Sequence, residues 1–130
     1  MNGKRNGKGK EYDLDGNLFF EGEYLNGLKN GKGKEYYDDG KLEFEGEYLY
    51  SRKLRGKYYI NGKLEYEGEF LYNKKYNGKG YDENGNIIYE LNNGNGKVKE
   101  YDFVGKLEFE GEYLNGKKME KEKNIIGKVT

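Results

Sequence analysis

One pattern recurs five times along this chain, and it constrains the fold more than any other feature of the sequence. Each copy has a glycine in a short turn segment, followed by a strand-like segment in which apolar and charged residues alternate. The turn glycines, which are 20 to 24 residues apart, are Gly16, Gly40, Gly62, Gly85 and Gly105. Periods of this length are typical of repeat proteins, in which each copy forms one supersecondary unit that packs on its neighbours.

Each copy is predicted to form a β-hairpin. Dipeptides such as Asp39-Gly40 tolerate the positive φ angles of tight turns. We expect a three-residue turn with a bulge in every copy, with the glycine in the left-handed conformation. Tyr36 then pairs with Leu42, and Phe44 and Tyr48 follow on the same face because side chains alternate along a strand.

Applied to every copy, this register predicts four apolar rows across one face of the sheet. The rows are Tyr12, Tyr36, Tyr58, Tyr81 and Tyr101; Leu18, Leu42, Leu64, Ile87 and Leu107; Phe20, Phe44, Tyr66, Tyr89 and Phe109; and Tyr24, Tyr48, Phe70, Leu91 and Tyr113. Cross-strand pairs within such rows stabilise a sheet by roughly 0.2–1 kcal/mol each. We therefore expect these residues to form the apolar side of the sheet.

The predicted fold class is all-β: an elongated single-layer antiparallel sheet of about five consecutive hairpins in one continuous meander, with little or no helix. A single repeat domain is expected over residues 1–130. Its units are expected at about 3–26, 27–50, 51–73, 74–94 and 95–116, with 117–130 as a C-terminal cap or tail. Within that tail, Ile125, Ile126 and Val129 are expected to add a last strand that covers an exposed edge.

The composition argues against several classes of function. The chain has no Cys and no His, so it lacks a thiolate nucleophile and the usual base near pH 7. Ser51 and Thr130 are its only serine and threonine. The formal net charge is zero, whereas a nucleic-acid-binding protein normally carries a basic excess. We predict that the protein is not an enzyme, that it has no catalytic, cofactor-binding or metal-binding residues, and that it binds neither nucleic acid nor a small-molecule substrate.

Hydropathy and two short motifs bear on location and chemistry. No apolar run approaches the roughly 18 residues that cross a bilayer, and no secretory segment follows Met1, so a cytoplasmic protein is expected. Closely spaced carboxylates such as Glu43, Glu45 and Glu47 occur in several copies, and repetition favours a solvated sheet face over an acid–base pair. The run 111–117 is similar to the start of a phosphate loop, but its glycines belong to the repeat.

The run Gly-Glu-Tyr-Leu-Asn-Gly-Leu-Lys-Asn-Gly-Lys-Gly, at Gly22–Gly33, resembles MORN repeats. The segment Tyr36–Leu42 is similar to the variant type of this repeat, and the resemblance extends from about Gly3 to Gly116. It implies an elongated antiparallel sheet of hairpins, used mostly as a scaffold for peptides, helices or membrane-associated assemblies. Some bacterial proteins of the variant type carry antitoxin-like descriptions. The fourth copy departs from the pattern at Tyr89-Glu90-Leu91.

The functional prediction is a non-catalytic MORN-repeat scaffold or interaction module that binds a protein or peptide partner. One alternative is an immunity or antitoxin-type protein that occludes a specific toxin, and another is an adaptor that associates peripherally with membrane lipids. An open groove for an extended or helical peptide is hypothesised on the aromatic face, at Phe20, Tyr24, Phe44, Tyr48, Tyr66, Phe70, Phe109 and Tyr113. The alternative is that curling of the sheet lets these rings bury one another.

A second surface hypothesis concerns the opposite face. Period two places Glu43, Glu45 and Glu47 there, on the side away from Phe44. Repeated across the units, this predicts a row of glutamates at Glu21, Glu45, Glu67, Glu90 and Glu110. Lysines such as Lys41 and Lys63 lie mainly at turns and connectors, which predicts an acidic stripe in the middle of the face. Such a stripe would steer a basic partner towards the protein.

Overall fold

The computed structural model describes residues 4–119 and contains eleven β-strands and no helix within that range. The strands are β1 (Gly7–Tyr12), β2 (Leu18–Leu25), β3 (Leu28–Tyr36), β4 (Leu42–Leu49), β5 (Arg52–Ile60), β6 (Lys63–Leu71), β7 (Lys74–Tyr81), β8 (Ile87–Leu91), β9 (Gly96–Tyr101), β10 (Leu107–Leu114) and β11 (Lys117–Lys118). The ladders are antiparallel and join consecutive strands. The predicted all-β fold of consecutive hairpins is confirmed. The strand predicted at 125–129 lies outside the described residues.

Aromatic rings cover one face of the sheet, which we call the ring side. Phe20, Phe44 and Tyr66 on this side have no exposed surface. The rings lie over a row of glycines that face one another on consecutive strands: Gly9, Gly22, Gly33, Gly46, Gly56, Gly68 and Gly78. A Cβ atom on Gly33 would lie 2.8 Å from the Phe20 ring, so only glycine lets the ring pack this closely. The opposite face, which carries lysines and glutamates, is called the charged side.

The sheet is interrupted once. Strands β1 to β8 form one sheet, and β9 to β11 form a second sheet of three strands. Among the described residues, no strand ladder joins β8 to β9, and the only β-bridge between them is the isolated pair Asn92 and Asn95. The prediction of one continuous meander is therefore wrong at this point.

The interruption coincides with the end of the glycine row. The residue opposite Gly78 is Leu91, and Val98 holds the corresponding position in β9, opposite Gly111. Both side chains are 2% exposed and fill the space that the glycines leave open elsewhere. Leu91 therefore occupies the position that a glycine of the row holds in the other units. Its predicted place in the row of Tyr48 is wrong, because the second strand of this unit is shorter.

Four of the five predicted turns have the expected geometry. In each, the amide of the turn glycine donates to the carbonyl oxygen three residues earlier, as Gly40 donates to Tyr37 at 2.9 Å. The φ angle of Gly40 is +88°, a conformation in which a glycine carries no steric penalty.

The third turn is one residue shorter than predicted. Ile60 pairs with Lys63, so the turn contains Asn61-Gly62 alone. Tyr59 consequently pairs with Leu64, and the predicted place of Tyr58 in that row is wrong. Tyr58 instead packs against the buried rings.

A bulge in each hairpin changes which side chains share a face. The register shifts between Glu35 and Tyr36, and the Tyr36 hydroxyl donates to Glu21 on the charged side at 2.6 Å. Glu43 lies on the ring side instead, where it lines a cavity together with Phe70. The prediction that Tyr36 shares a face with Phe44 is therefore wrong, as is the prediction that Glu43 faces away from it.

The turns between successive units form one long edge of the molecule, here called the connector edge. Each turn is hydrogen-bonded to the preceding connector segment, as Gly27 N is to Arg5 O at 2.8 Å. Gly116 N donates to Gly94 O at 2.9 Å, which continues this chain of hydrogen bonds across the interruption. The connector edge therefore links the two sheets where the strand ladder does not.

Candidate interaction surfaces

The aromatic residues predicted to form a partner groove do not form an open groove. Phe109 is half-buried, and the other seven rings are at most 9% exposed. Those seven are Phe20, Tyr24, Phe44, Tyr48, Tyr66, Phe70 and Tyr113. Neighbouring rings pack edge to face, as Phe20 and Tyr48 do with centroids 5.3 Å apart. The predicted groove is therefore wrong, because the glycine row lets the rings lie against the sheet and bury one another.

Lysines further close the ring side. The Lys29 ammonium lies 4.1 Å from the centroid of Phe20, and the Lys53 ammonium lies 5.2 Å from that of Phe44. Such cation–π contacts contribute roughly 0.5–2 kcal/mol, depending on how far the cation is desolvated. This row of lysines was not predicted from the sequence, although a lysine two residues after the turn recurs in several connectors.

Tyrosine hydroxyls on the ring side donate to carboxylates one strand away. Tyr24 donates to Glu11, and Tyr48 donates to Glu35. Burial, with the neighbouring Glu11 carboxylate, raises the pKa of Tyr24 to about 12. These phenols therefore stay protonated near neutral pH and serve as hydrogen-bond donors within the fold.

The most deeply buried charges form a group that joins the two sheets, here called the Lys75 cluster: Lys75, Glu65, Tyr89, Glu100 and Tyr113. The Lys75 Nζ atom lies 2.7 Å from Glu65 Oε1 and 2.5 Å from Glu100 Oε2. Tyr89 donates to Glu65 and Tyr113 donates to Glu100, both at 2.8 Å. Because Glu100 lies in β9 and Lys75 in β7, this contact connects the second sheet to the first.

The two carboxylates of the Lys75 cluster differ in acidity. Burial raises the pKa of Glu65, and the ion pair with Lys75 offsets this only in part. At Glu100 burial acts in the same direction, but the Lys75 ammonium, the Tyr113 hydroxyl and the Lys118 ammonium together outweigh it and hold the pKa below its usual value. Sequence patterns did not identify this cluster, because it depends on a contact between separate sheets.

The glutamates predicted to form an acidic stripe lie opposite lysines. The five are Glu21, Glu45, Glu67, Glu90 and Glu110. Glu45 pairs with both Lys34 and Lys57, and Glu90 pairs with Lys79. Positive and negative side chains therefore alternate across the charged side. The prediction that the middle of this face stays acidic is wrong, because each of the five glutamates pairs with a lysine on a neighbouring strand.

Family models match the repeats seen in the structure. A MORN repeat model matches residues 20–41, and a MORN repeat variant model matches residues 5–26, 77–92 and 94–115. Together these ranges cover more than half of the chain. The chain belongs to the MORN repeat family. A search of curated proteins gave no match. MORN repeats are typically modules for protein or membrane interaction, and the family is generally non-catalytic.

The segment between the matched ranges, 42–76, continues the MORN hairpins and contains the two most unusual turns of the connector edge. At the first turn position the other units have Asn26, Asn93 and Asn115, whose φ angles are 51° to 53°. The same left-handed conformation is adopted by Tyr50, with φ 50°, and by Tyr72, with φ 52°. Asparagine tolerates this conformation, whereas a bulky side chain is strained in it.

These tyrosines lie in an exposed apolar cluster. Tyr50 is 69% exposed and Tyr72 is 66% exposed, and Leu49 and Leu71 beside them are also exposed. The guanidinium of Arg52 lies 4.7 Å from the ring centroid of Tyr72. We call these five residues, Leu49, Tyr50, Arg52, Leu71 and Tyr72, the edge patch. The sequence contained a signal for it, since two tyrosines replace asparagine at equivalent turn positions.

Two further kinds of feature are absent from residues 4–119. No helix in this part of the chain is long and apolar enough to span a bilayer. No group of three or more acidic side chains there is arranged to hold a metal ion.

Proposed function

We propose that this MORN-repeat protein is a non-catalytic scaffold that binds a protein partner through the edge patch. The observation that carries the proposal is the left-handed conformation of Tyr50 and Tyr72 at exposed turns. That conformation costs a residue other than glycine or asparagine roughly 1–2 kcal/mol. Strain of this kind is concentrated at functional sites in proteins.

The chemistry of the edge patch supports a protein partner. Tyrosine and arginine are enriched among the residues that contribute most to protein interfaces, and the patch contains two tyrosines and one arginine. Apolar side chains flank them, so the patch offers anchors that bury area on binding. The ring side offers no comparable surface, because its rings are already buried.

The basic residues along the connector edge indicate the charge of the partner segment that would bind there. In units two and three, the turns of the connector edge and the two residues on either side of each turn include no aspartate or glutamate. The same segments contain the basic residues Arg52, Lys53 and Lys74. Lys74 and Arg52 are exposed. The complementary partner is a protein segment with apolar anchors flanked by carboxylates.

The experiment compares binding and stability in one double variant. In Tyr50→Asn/Tyr72→Asn, asparagine fits the left-handed turn, so we expect the free energy of unfolding to stay equal or rise by about 1 kcal/mol. After affinity capture from the source cells, the purified partner should bind the double variant about thirtyfold more weakly than the wild type, as for an interface hot spot. Tyr12→Asn, which alters an exposed tyrosine elsewhere, is the matched control.

Full affinity in the double variant would contradict the proposal. Binding to anionic vesicles without a protein partner would favour the membrane adaptor instead. If the captured partner is an enzyme that loses activity in the complex, the immunity or antitoxin role is the correct form of the proposal. The cytoplasmic location stays a prediction, which fractionation of the source cells tests.

A further inference from the structure

The hairpin turns form the long edge opposite the connector edge, here called the hairpin edge, and the two edges differ in charge. Seven acidic residues and two lysines lie in the hairpin turns, which are 13–17, 37–41, 61–62, 82–86 and 102–106. No aspartate or glutamate lies in the connector turns, which are 25–28, 49–52, 71–74, 92–95 and 114–117. Their charged residues are Arg52, Lys74 and Lys117. One long edge is therefore acidic and the other basic, although the formal net charge of the chain is zero.

Leu14 lies at the tip of the first hairpin turn, between Asp13 and Asp15, and its side chain is fully exposed. Asp38 holds the same position in the second hairpin and is exposed too, although hairpins flank it on both sides. The exposure is therefore a property of the turn position. Phe103 holds this position in the fifth hairpin, but its ring packs edge to face on a tyrosine of the second hairpin, with centroids 4.9 Å apart. Of the two apolar residues at this position, Leu14 is the more exposed.

Hydrogen bonds fix the turn that presents Leu14. The Asp13 carboxylate accepts from the backbone amides of Asp15 at 2.9 Å and of Asn17 at 2.8 Å. The hydrogen bond from Asn17 in particular holds the pKa of Asp13 below its usual value, so the turn stays negatively charged near neutral pH. A turn that is already ordered loses little conformational freedom on binding. Leu14 is therefore a preformed apolar anchor between two carboxylates.

We propose that the edge patch binds the Asp13-Leu14-Asp15 turn of a second copy of this chain. This rests on the proposed function and names the partner segment for the same site, because the turn has the apolar anchor and flanking carboxylates that the edge patch requires. Tyr50 and Tyr72 lie on consecutive connector turns, which are two strand spacings or about 10 Å apart. That separation leaves room for one leucine side chain between the two rings, and Leu14 of the second copy fills it.

The charges favour this arrangement over a contact between two edge patches. Arg52 and Lys74 are exposed beside the patch tyrosines, so two patches that face each other would bring like charges together. The exposed carboxylate of Asp15 in the second copy meets the same cations with the opposite charge. Since the two contacting edges are different, the association is head to tail, and every added copy offers another edge patch to the next. We therefore expect an open series of copies instead of a closed dimer.

Sedimentation of the full chain at concentrations up to about 1 mM tests for this series, since a small interface implies weak binding. We expect reversible, stepwise association beyond the dimer, which weakens as the salt concentration is raised. Leu14→Asn should weaken each step about tenfold or more, because a leucine side chain is then no longer removed from water on binding. Val104→Asn is the matched control: it alters an exposed apolar residue of the fifth hairpin turn and should leave the association unchanged.

A mixing experiment tests which surfaces meet. Leu14→Asn/Asp15→Asn removes the anchor but keeps the edge patch, and Tyr50→Asn/Tyr72→Asn removes the rings of the edge patch but keeps the anchor. Each variant alone should stay monomeric, because it has only one of the two surfaces. An equimolar mixture should form a dimer with one copy of each and nothing larger, because one intact pair of surfaces remains. Self-association of the first variant alone would show that patch meets patch, and it would overturn the assignment to the turn.

The same variants separate this inference from the proposed function. If the wild type stays monomeric, or if Leu14→Asn associates as the wild type does, the inference is overturned, and the captured partner still tests the edge patch. If Tyr50→Asn/Tyr72→Asn associates like the wild type and also binds a captured partner with full affinity, both proposals fail. Urea unfolding of each variant, which should match that of the wild type, excludes misfolding as the cause of a loss.

Discussion

At the scale of single residues, Glu65 shows how burial and charge oppose each other. Its carboxylate is 8% exposed, and it accepts hydrogen bonds from Lys75 and Tyr89. These contacts favour the ionised form, but burial outweighs them and raises the pKa of Glu65. The folded state therefore binds the proton of Glu65 more tightly than the unfolded chain does.

This difference gives a pH dependence with a definite sign. Because the fold favours protonated Glu65, that contribution to stability is present below its ordinary pKa of 4.5 and is lost as the pH rises through the raised pKa. Glu100, with a lowered pKa, acts in the opposite direction, since its contribution is lost as the pH falls. Comparison with Glu65→Gln isolates the first effect.

We expect Glu65→Gln to gain stability relative to the wild type between pH 4 and pH 8, as measured by urea unfolding at several pH values. Glutamine keeps the shape of the side chain but has no charge to bury. Glu45→Gln is the matched control, because Glu45 is largely exposed and pairs with exposed Lys34. A difference that stays flat, or that falls with rising pH, would contradict the assignment of burial as the main cause.

At the scale of strands and turns, the sequence predicted the positions of the hairpins well, but it predicted less well which side chains share a face of the sheet. The turn glycines, the pairing of Tyr36 with Leu42 and the burial of Phe44 all follow from dipeptide signals and alternation. Alternation fails beyond a bulge, because one extra residue reverses the side to which the following residues point. This is why Tyr36 and Glu43 lie on the sides opposite to those predicted.

The third hairpin shows a second reason for error. Five residues separate Tyr36 from Leu42, but four separate Tyr59 from Leu64. The two adjacent tyrosines of β5 fit either register. The prediction assumed the same turn length in every hairpin and therefore paired Tyr58, instead of Tyr59, with Leu64. Contacts between different elements, such as that of Lys75 with Glu100, leave no periodic signal in the sequence and were missed.

The glycine row makes a prediction for a single strand. In Gly33→Ala the new Cβ atom would lie 2.8 Å from the Phe20 ring and 2.9 Å from the Tyr48 ring. Two buried rings must shift, so we expect the free energy of unfolding to fall by about 1–3 kcal/mol, as for other overpacked cores. Chemical denaturation measures the loss.

The matched control for the glycine row is Gly40→Asn. Gly40 has φ +88°, a Cβ atom added to it would have no neighbour within 4 Å, and asparagine tolerates positive φ. Its cost should stay well below that of Gly33→Ala. Similar costs for the two variants would show that ring packing does not determine the requirement for glycine at Gly33.

At the scale of the whole molecule, the surface is balanced in charge and the apolar rings are internal. Glutamates and lysines alternate across the charged side, so positive and negative charges balance on that face as they do in the whole chain. An exposed pair such as Lys34 and Glu45, 3.8 Å apart, contributes at most about 1 kcal/mol. Against this background, the exposed tyrosines of the edge patch distinguish the connector edge from the other described surfaces.

The interruption between β8 and β9 makes the Lys75 cluster a link between two cooperative parts. The strand ladder is broken there, so the second sheet is held by the connector edge, by buried side chains and by the ion pair of Lys75 with Glu100. In Lys75→Met, the buried carboxylate of Glu65 loses its counter-ion, and Glu100 keeps only Lys118, whose Nζ atom lies 3.3 Å from Glu100 Oε1. Breaking a buried ion pair in this way typically costs about 3–5 kcal/mol.

We expect the loss in Lys75→Met to be unevenly distributed. Native-state hydrogen exchange should show a larger fall in protection for the amides of β9 and β10 than for those of β2 to β4, because only the former depend on the Lys75 link. Lys53→Met is the matched control: its ammonium lies 3.6 Å from Glu35 within the first sheet, so it should not affect β9 and β10 selectively. A uniform loss of protection in Lys75→Met would show that the two sheets unfold as one unit and that the interruption has no energetic consequence.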